Sequence, residues 1–201
     1  MDPALTHRLA WAQRCLSAAL LFVALANPLV AQTTSLRLQS GTAWFTARAT
    51  FGPFTGVTSS VTGTVSSPGT ERAATGWVEV LLDSLRTGNG TRDRHMREAL
   101  ETSTHPRARF ELDSLVPDPA GTGAGDARPV RLHGRFRVHG ITRPVIATGT
   151  VQPRADGGWQ LGATFPVSLP EHQVSKGLSR ALGTIRVQPV VQVRVELVFA
   201  P

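Results

Sequence analysis

Beyond about residue 32 the chain alternates between apolar and polar positions with a period of two, the pattern of strands that bury one face. Ala43, Phe45, Ala47, Ala49 and Phe51 alternate with Trp44, Thr46, Arg48 and Thr50. Ala108, Phe110 and Leu112 alternate with Arg107, Arg109, Glu111 and Asp113. Val130, Leu132, Gly134, Phe136 and Val138 are separated by Arg131, His133, Arg135 and Arg137, and Trp159, Leu161, Ala163, Phe165 and Val167 form a further set. The longest run predicts one strand through Ile185, Val187, Pro189, Val191, Val193, Val195, Leu197 and Phe199. Weaker strands fit residues 35–39, 55–65, 76–85 and 145–152. The spacing of Met96 and Leu100 predicts a short helix over 91–101, and that of Val174, Leu178 and Leu182 a second over 172–182. Pro117–Pro129 is rich in Gly, Ala, Pro and Asp and reads as a loop.

Eight or nine such strands, each with one apolar face, predict an all-β protein: an eight-stranded antiparallel barrel with one or two short helices. Two architectures share this pattern. A soluble barrel turns the apolar set inward, whereas an outer-membrane barrel turns it toward lipid. The aromatics favour the first. Tyr is absent, and Trp44, Trp77 and Trp159 are scattered and form no girdles. The apolar set also holds many small residues, Ala43, Ala47, Ala49, Gly63, Ala108, Gly134, Ala147, Gly149 and Ala163. These either leave an apolar lumen or fit the taper of a solid core, and the residues alone do not separate the two.

The N-terminus has a different pattern. Arg8 and Arg14 precede the apolar run Leu16–Ala26, which fits the core of a signal peptide and is too short to span a membrane as a helix. Cleavage after Ala26 or Ala31 is compatible with the flanking residues, and Ala31 is favoured, so residues 1–31 read as a leader and 32–201 as one domain. This leader carries Cys15, the chain's single cysteine, and its removal reduces the formal charge from +7 to +6. A cysteine zinc site and an intramolecular disulfide are therefore excluded. The expected location is the periplasm or outside the cell.

No catalytic constellation emerges. Asp93 and His95 lie close together, but with no nucleophile or second carboxylate in a recognisable pattern. Asp93 reads as an N-terminal helix residue satisfying free amides. His133 and His139 share the polar face of one strand and read as surface histidines, so no metal site is assigned. Arg131, Arg135, Arg137 and Arg143 form a basic stripe without interleaved aromatics, which argues against nucleic acid and leaves room for contact with anionic head groups.

Several segments resemble the YceI-like family of periplasmic polyisoprenoid-binding proteins. They are Gly52-Pro-Phe-Thr-Gly56, Leu85-Arg-Thr-Gly-Asn89, Arg92-Asp-Arg-His-Met96, His105-Pro-Arg-Ala-Arg-Phe110 and Gly134-Arg-Phe-Arg-Val-His-Gly-Ile-Thr-Arg-Pro-Val145. The chain departs from the family pattern at His105, where that pattern has tyrosine, and over Leu100–Thr104 and Pro170–Leu178. The resemblance implies a lipocalin-like barrel with a lipid-binding pore, an isoprenoid lipid or quinone as ligand, and no catalysis or other cofactor. The pore-lining candidates are Phe45, Phe51, Phe54, Val80, Leu82, Phe110, Leu112, Leu132, Phe136, Val138, Phe165, Val167, Leu182 and Ile185. The expected partners are the hydrophobic ligand and no nucleic acid, with peripheral membrane contact and a homodimer left open.

Overall fold

A computed structural model describes residues 33–68, 71–174, 179–180 and 185–201. The strands in chain order are β1 (Thr33–Ala49), β2 (Gly52–Thr58), β3 (Val61–Pro68), β4 (Thr75–Leu81), β5 (Arg107–Pro117), β6 (Arg128–Val138), β7 (Ile141–Pro153), β8 (Trp159–Ser168), β9 (Ser179–Arg180), β10 (Ile185–Arg186) and β11 (Val190–Ala200). One α-helix, α1 (Gly90–Ala99), lies between β4 and β5. Neighbouring strands pair antiparallel in the order β3, β4, β5, β6, β7, β8, β11, and β11 then pairs with β1 to close the ring. The first residues of β1 pair with β3 and its last with β2, so β2 and β3 together form one interrupted stave of an eight-stave barrel.

The interruption at Ser59–Ser60 divides the strand expected over 55–65. It is held by side chains. Thr58 Oγ1 accepts from the Ser60 amide at 2.9 Å and lies 2.6 Å from Ser84 Oγ. The Leu81 amide donates to the Ser60 carbonyl. The chain there leaves β4 for a 3-10 turn over Leu82–Ser84, so the strand expected to run to residue 85 ends at Leu81.

Two β-bulges explain why β1 and β5 are longer than the alternation suggests. In β1 the apolar positions move from even (Leu36, Leu38) to odd (Ala43, Phe45), and the register with β11 slips between Leu38 and Ser40. In β5 Leu112 is followed by buried Leu115, with a slip between Leu112 and Ser114. One extra residue restores the inward face after a change of phase. The strands expected at 35–39 and at 43–51 are therefore parts of one.

Two expectations fail at the 170–190 segment. The described residues of 172–182 are not helical beyond a single turn. A 3-10 turn over Pro170–His172 ends at Gln173, whose φ of 57° is left-handed, and Ser179–Arg180 pairs as a strand with Ile185–Arg186. Nor does the final strand run unbroken from Ile185, since β11 starts at Val190. Pro189 has no amide hydrogen to give a ladder, and its carbonyl accepts from the Leu169 amide instead.

The registers put the β1–β2 turn, the end of β4, the start of β5, the β6–β7 turn, the end of β8 and the start of β11 at one end of the barrel. The opposite end is packed shut by Leu36, Leu115, Val130 and Val151, each at most 2% exposed. The outer face is polar. Arg107 and Arg109 reach Glu79 on the neighbouring strand, Arg109 also meets Glu111, and Arg135 bridges Glu111 and Asp113. Arg131 pairs with Asp118, so two members of the basic stripe are partnered.

The helix α1 is anchored at its N-terminus. Asn89 caps it, its side chain accepting from the Arg92 amide at 3.0 Å. Asp93 is buried and takes the structural role expected of it, although the amide it satisfies lies before the helix. Its Oδ1 accepts from the Thr87 amide at 2.9 Å and from the Thr87 hydroxyl at 2.5 Å, fixing the approach to the helix. Burial works to raise the Asp93 pKa, but the two Thr87 hydrogen bonds and the charges of Arg86 and Arg97 outweigh it and hold the carboxyl below its ordinary value.

Leu115→Ala, at the closed end, is expected to cost about 2–5 kcal/mol in urea unfolding. Asp93→Ala is expected to cost about 1.5–3 kcal/mol at pH 7. The Asp93 contribution is full above the unfolded carboxylate pKa of about 3.9 and is lost as the pH falls through the lower folded value. The alanine variant should therefore show a shallower acid-side loss of stability than the wild type. An unchanged acid limb would refute this role.

Candidate functional site

Within the barrel lies an apolar cavity of about 830 Å³, inside the range usual for small-molecule sites. It begins where the closed-end plug stops and extends to the end of the barrel that carries the β6–β7 turn. Ala43, Ala47, Ala49, Ala108, Ala147 and Ala163 face it from six positions on four strands. These alanines create the space, because eight strands fix the width of the lumen and a methyl group spans little of it. The glycines of the apolar set act differently. A Cβ on Gly134 would lie 2.2 Å from the Glu111 carbonyl oxygen, and one on Gly149 would lie 2.0 Å from that of Gly162. Glycine there lets neighbouring strands approach and does not widen the lumen.

Of the fourteen candidate residues, Phe45, Phe54, Val80, Leu82, Phe110, Leu112, Leu132, Phe136, Val138, Phe165 and Val167 line the cavity wall. Phe51 belongs to the rim, in the turn between β1 and β2, where it is 78% exposed. Leu182 lies outside the described residues, and of Ile185 only the backbone, paired in β10, is described. The aromatic rings are mutually arranged. Phe165 packs against Phe110 and Phe136 with centroids 5.7 and 5.2 Å apart, and Phe45 meets Phe54 edge to face at 6.0 Å. Gly56 faces Phe45 across the β1–β2 ladder, and the ring occupies the space its side chain would take.

Lining residues that strand alternation does not reveal come from α1 and from the chain around Val174 and Val187. Arg92, His95, Met96, Ala99 and Leu100 recur every three or four residues, so one face of the helix closes over the lumen. The 91–101 periodicity carried that signal. For Val187 the signal was its place in the apolar run, and the break at Pro189 gives it a different role. It bridges Ala49, while the Gln188 amide donates to the Arg48 carbonyl, clasping the tip of β1.

Among the described residues, and apart from the two tryptophans Trp44 and Trp77, polar side chains in the lining are confined to Asn89, Thr91, Arg92 and His95, all from one stretch at the start of α1. Arg92 is well fixed. Its guanidinium donates to the Thr87 hydroxyl and carbonyl at 2.9 and 2.8 Å and lies 4.7 Å from the centre of the Phe54 ring. The cavity is thus an apolar tube with a polar patch at one end. Asp93 does not line it, so Asp93 and His95 are not assembled as an acid–base pair.

The histidines are not all at the surface. His172 is 3% exposed, its Nδ1 2.9 Å from the Ser168 carbonyl oxygen and its ring against Phe136. The His139 side chain is 13% exposed and lies beside Glu101 and His105 at the β6–β7 turn.

Comparison with solved structures identifies the architecture. The polyisoprenoid binding domain from Saccharophagus degradans implicated in plant cell wall breakdown superposes with a TM-score of 0.66 at 19% identity, covering 85% of this chain and all of that one. BcnA of Burkholderia cenocepacia gives a TM-score of 0.65 at 16% identity, covering 79% of this chain and 95% of its own. A search of curated proteins finds no match. Residues 31–199 match the YceI-like domain, and the chain, with its barrel, capping helix and lined lumen, belongs to the YceI-like family.

Proposed function

We propose that the protein binds a long-chain isoprenoid lipid, of the polyprenyl or quinone type, with the tail in the lumen and the polar head at the α1 end, and that it stores or carries this lipid without chemically changing it. The observation that carries this reading is the polarity of the cavity, apolar along its length with Asn89, Thr91, Arg92 and His95 gathered at one end. A hydrocarbon tail gains about 0.8 kcal/mol for each methylene removed from water, and a branched isoprenoid chain suits a lumen that alternates phenylalanine with alanine. The S. degradans relative, described as polyisoprenoid-binding, supports the ligand class. The N-terminal pattern supports delivery to the periplasm or beyond.

An outer-membrane barrel is the less favoured reading. Its lipid-facing surface would have to hold Glu79, Arg107, Arg109, Glu111, Arg135 and Asp113, the reverse of the apolar band such barrels need. Peripheral contact with a membrane is a different matter. Phe51 is exposed at the rim, next to Thr50, whose amide donates to the Arg186 carbonyl, and on the same turn-forming stretch as Arg48, a combination suited to touching an anionic lipid surface.

Organic extraction of the purified protein followed by mass spectrometry is expected to return a lipid with a polyprenyl chain, and an extract free of lipid would sink the reading. Ala163→Phe should leave the fold intact, because it grows into empty space, and should lower lipid retention more than tenfold, since displacing two methylenes of tail costs about 1.6 kcal/mol. Phe51→Glu should slow uptake from anionic vesicles while leaving the amount retained at equilibrium unchanged. Stopped-flow transfer of a fluorescent polyprenyl probe separates the two effects.

A further inference from the structure

We propose that Glu101, His105 and His139 form a binding site for a divalent first-row transition metal on the rim of the barrel. One ligand atom from each lies within 4.8 Å of the other two. Two imidazoles and a carboxylate are a usual protein ligand set for Zn²⁺ and its neighbours, and three protein ligands leave a position for water or an anion.

The backbone builds this cluster from two elements. Glu101 follows the end of α1, in a left-handed conformation with φ of 49°, and its carbonyl accepts from the amides of Thr104 and His105. That tight turn brings residues 101 and 105 together. His139 and Gly140 are the two residues of the β6–β7 turn, both with positive φ, the arrangement in which asparagine followed by glycine is the usual choice. A Cβ on Gly140 would come within 2.9 Å of His105 Cε1, so the glycine makes room for that ring. The His105 and His139 rings then meet nearly edge to face with centroids 5.1 Å apart.

Hydrogen bonding defines what the site lacks. His139 Nδ1 lies 3.1 Å from the His172 carbonyl oxygen. A carbonyl only accepts, so Nδ1 carries the hydrogen, and in the neutral ring Nε2 offers a lone pair. That Nε2 is buried without a hydrogen-bond partner and faces Glu101 Oε2 at 3.4 Å. A lone pair and a carboxylate oxygen at this distance can share a cation. Bonds of about 2.0–2.2 Å to a tetrahedral zinc ion set neighbouring ligand atoms roughly 3.4 Å apart, which is the Glu101–His139 spacing. Nδ1–H on a backbone carbonyl is also the outer-shell bond that orients a metal-ligating histidine. The competing cation is a proton on His139. The third ligand, His105, favours the metal, because a simple imidazolium–carboxylate pair has no use for it.

This inference does not rest on the lipid reading. Two of the three metal ligands nonetheless adjoin the lumen, since Leu100 precedes Glu101 and Val138 precedes His139, and both line the cavity. A bound ion would fasten the end of α1 to the β6–β7 turn.

Tag-free protein dialysed against chelator is titrated with ZnCl₂ by calorimetry, and its melting temperature is followed with and without the metal. One ion per chain is expected, with Kd below about 100 µM and a rise in melting temperature that chelator reverses. Glu101→Gln and His105→Phe should each weaken binding tenfold or more without changing the metal-free melting temperature. If His105→Phe fails to fold, Glu101→Gln decides alone. Absence of saturable one-to-one binding, or an affinity untouched by a correctly folded variant, overturns the proposal and leaves a protonated His139 paired with Glu101.

Discussion

Closing eight antiparallel staves fixes the distance across the lumen, and side-chain volume then decides how much of that space is filled. At one end leucine and valine from β1, β5, β6 and β7 meet and leave nothing between them. Further along, alanines alternate with phenylalanines on β1, β5 and β8 and the space stays open. The same strands supply both regions, so the plug is continuous with the wall of the cavity. Stability is concentrated where the barrel is solid. The open part is held by ring-to-ring contacts among Phe110, Phe136 and Phe165 and by the hydrogen-bonded ladders of the staves themselves.

An open lumen imposes a second requirement, because the mouth must be covered without being sealed. Helix α1 covers it with one face, and that face changes in character from Arg92 and His95 to Met96, Ala99 and Leu100. A ten-residue helix has little stability of its own. Asn89 caps it, Thr87 is tied to Asp93, and Arg92 binds Thr87 while lying over Phe54, so its first turn is fixed to the preceding chain and, through Arg92, to β2. Elsewhere on the rim the Arg186–Gln188 stretch clasps the tip of β1. The rim is therefore assembled from polar backbone contacts while the wall is assembled from apolar ones.

Period-two alternation was enough to reveal the fold class and the two faces of each strand, since a strand with one buried side must write that side into every second residue, and the aromatics then favoured the apolar face as the inward one. Boundaries were legible only where the phase held. The bulges at Leu38–Ser40 and Leu112–Ser114 shift the phase by one residue, which in the sequence looks like the end of a strand. Val174, Leu178 and Leu182 are spaced like a helix face, yet Gln173 turns left-handed and residues 179–180 pair as a strand. Spacing alone carries no information about such a turn. The wall residues Phe110, Leu132, Phe136 and Phe165 were readable because they obey the strand period, whereas the contribution of α1 depends on where the helix docks.

The histidine cluster was hidden for a related reason. His139 follows Val138 in the alternation and so reads as one more outward residue of β6. It is in fact the first residue of a two-residue turn, and the left-handed conformation carries its ring back over the barrel end toward Glu101. Glu101 and His105 come from the other side, through a turn whose conformation also depends on a positive φ. Two left-handed residues, each carrying a metal-ligating side chain and each one position beyond a lumen-lining residue, meet at the rim. Alternation explains how the wall of this barrel is built, and departures from it explain how the chemistry of the mouth is brought together.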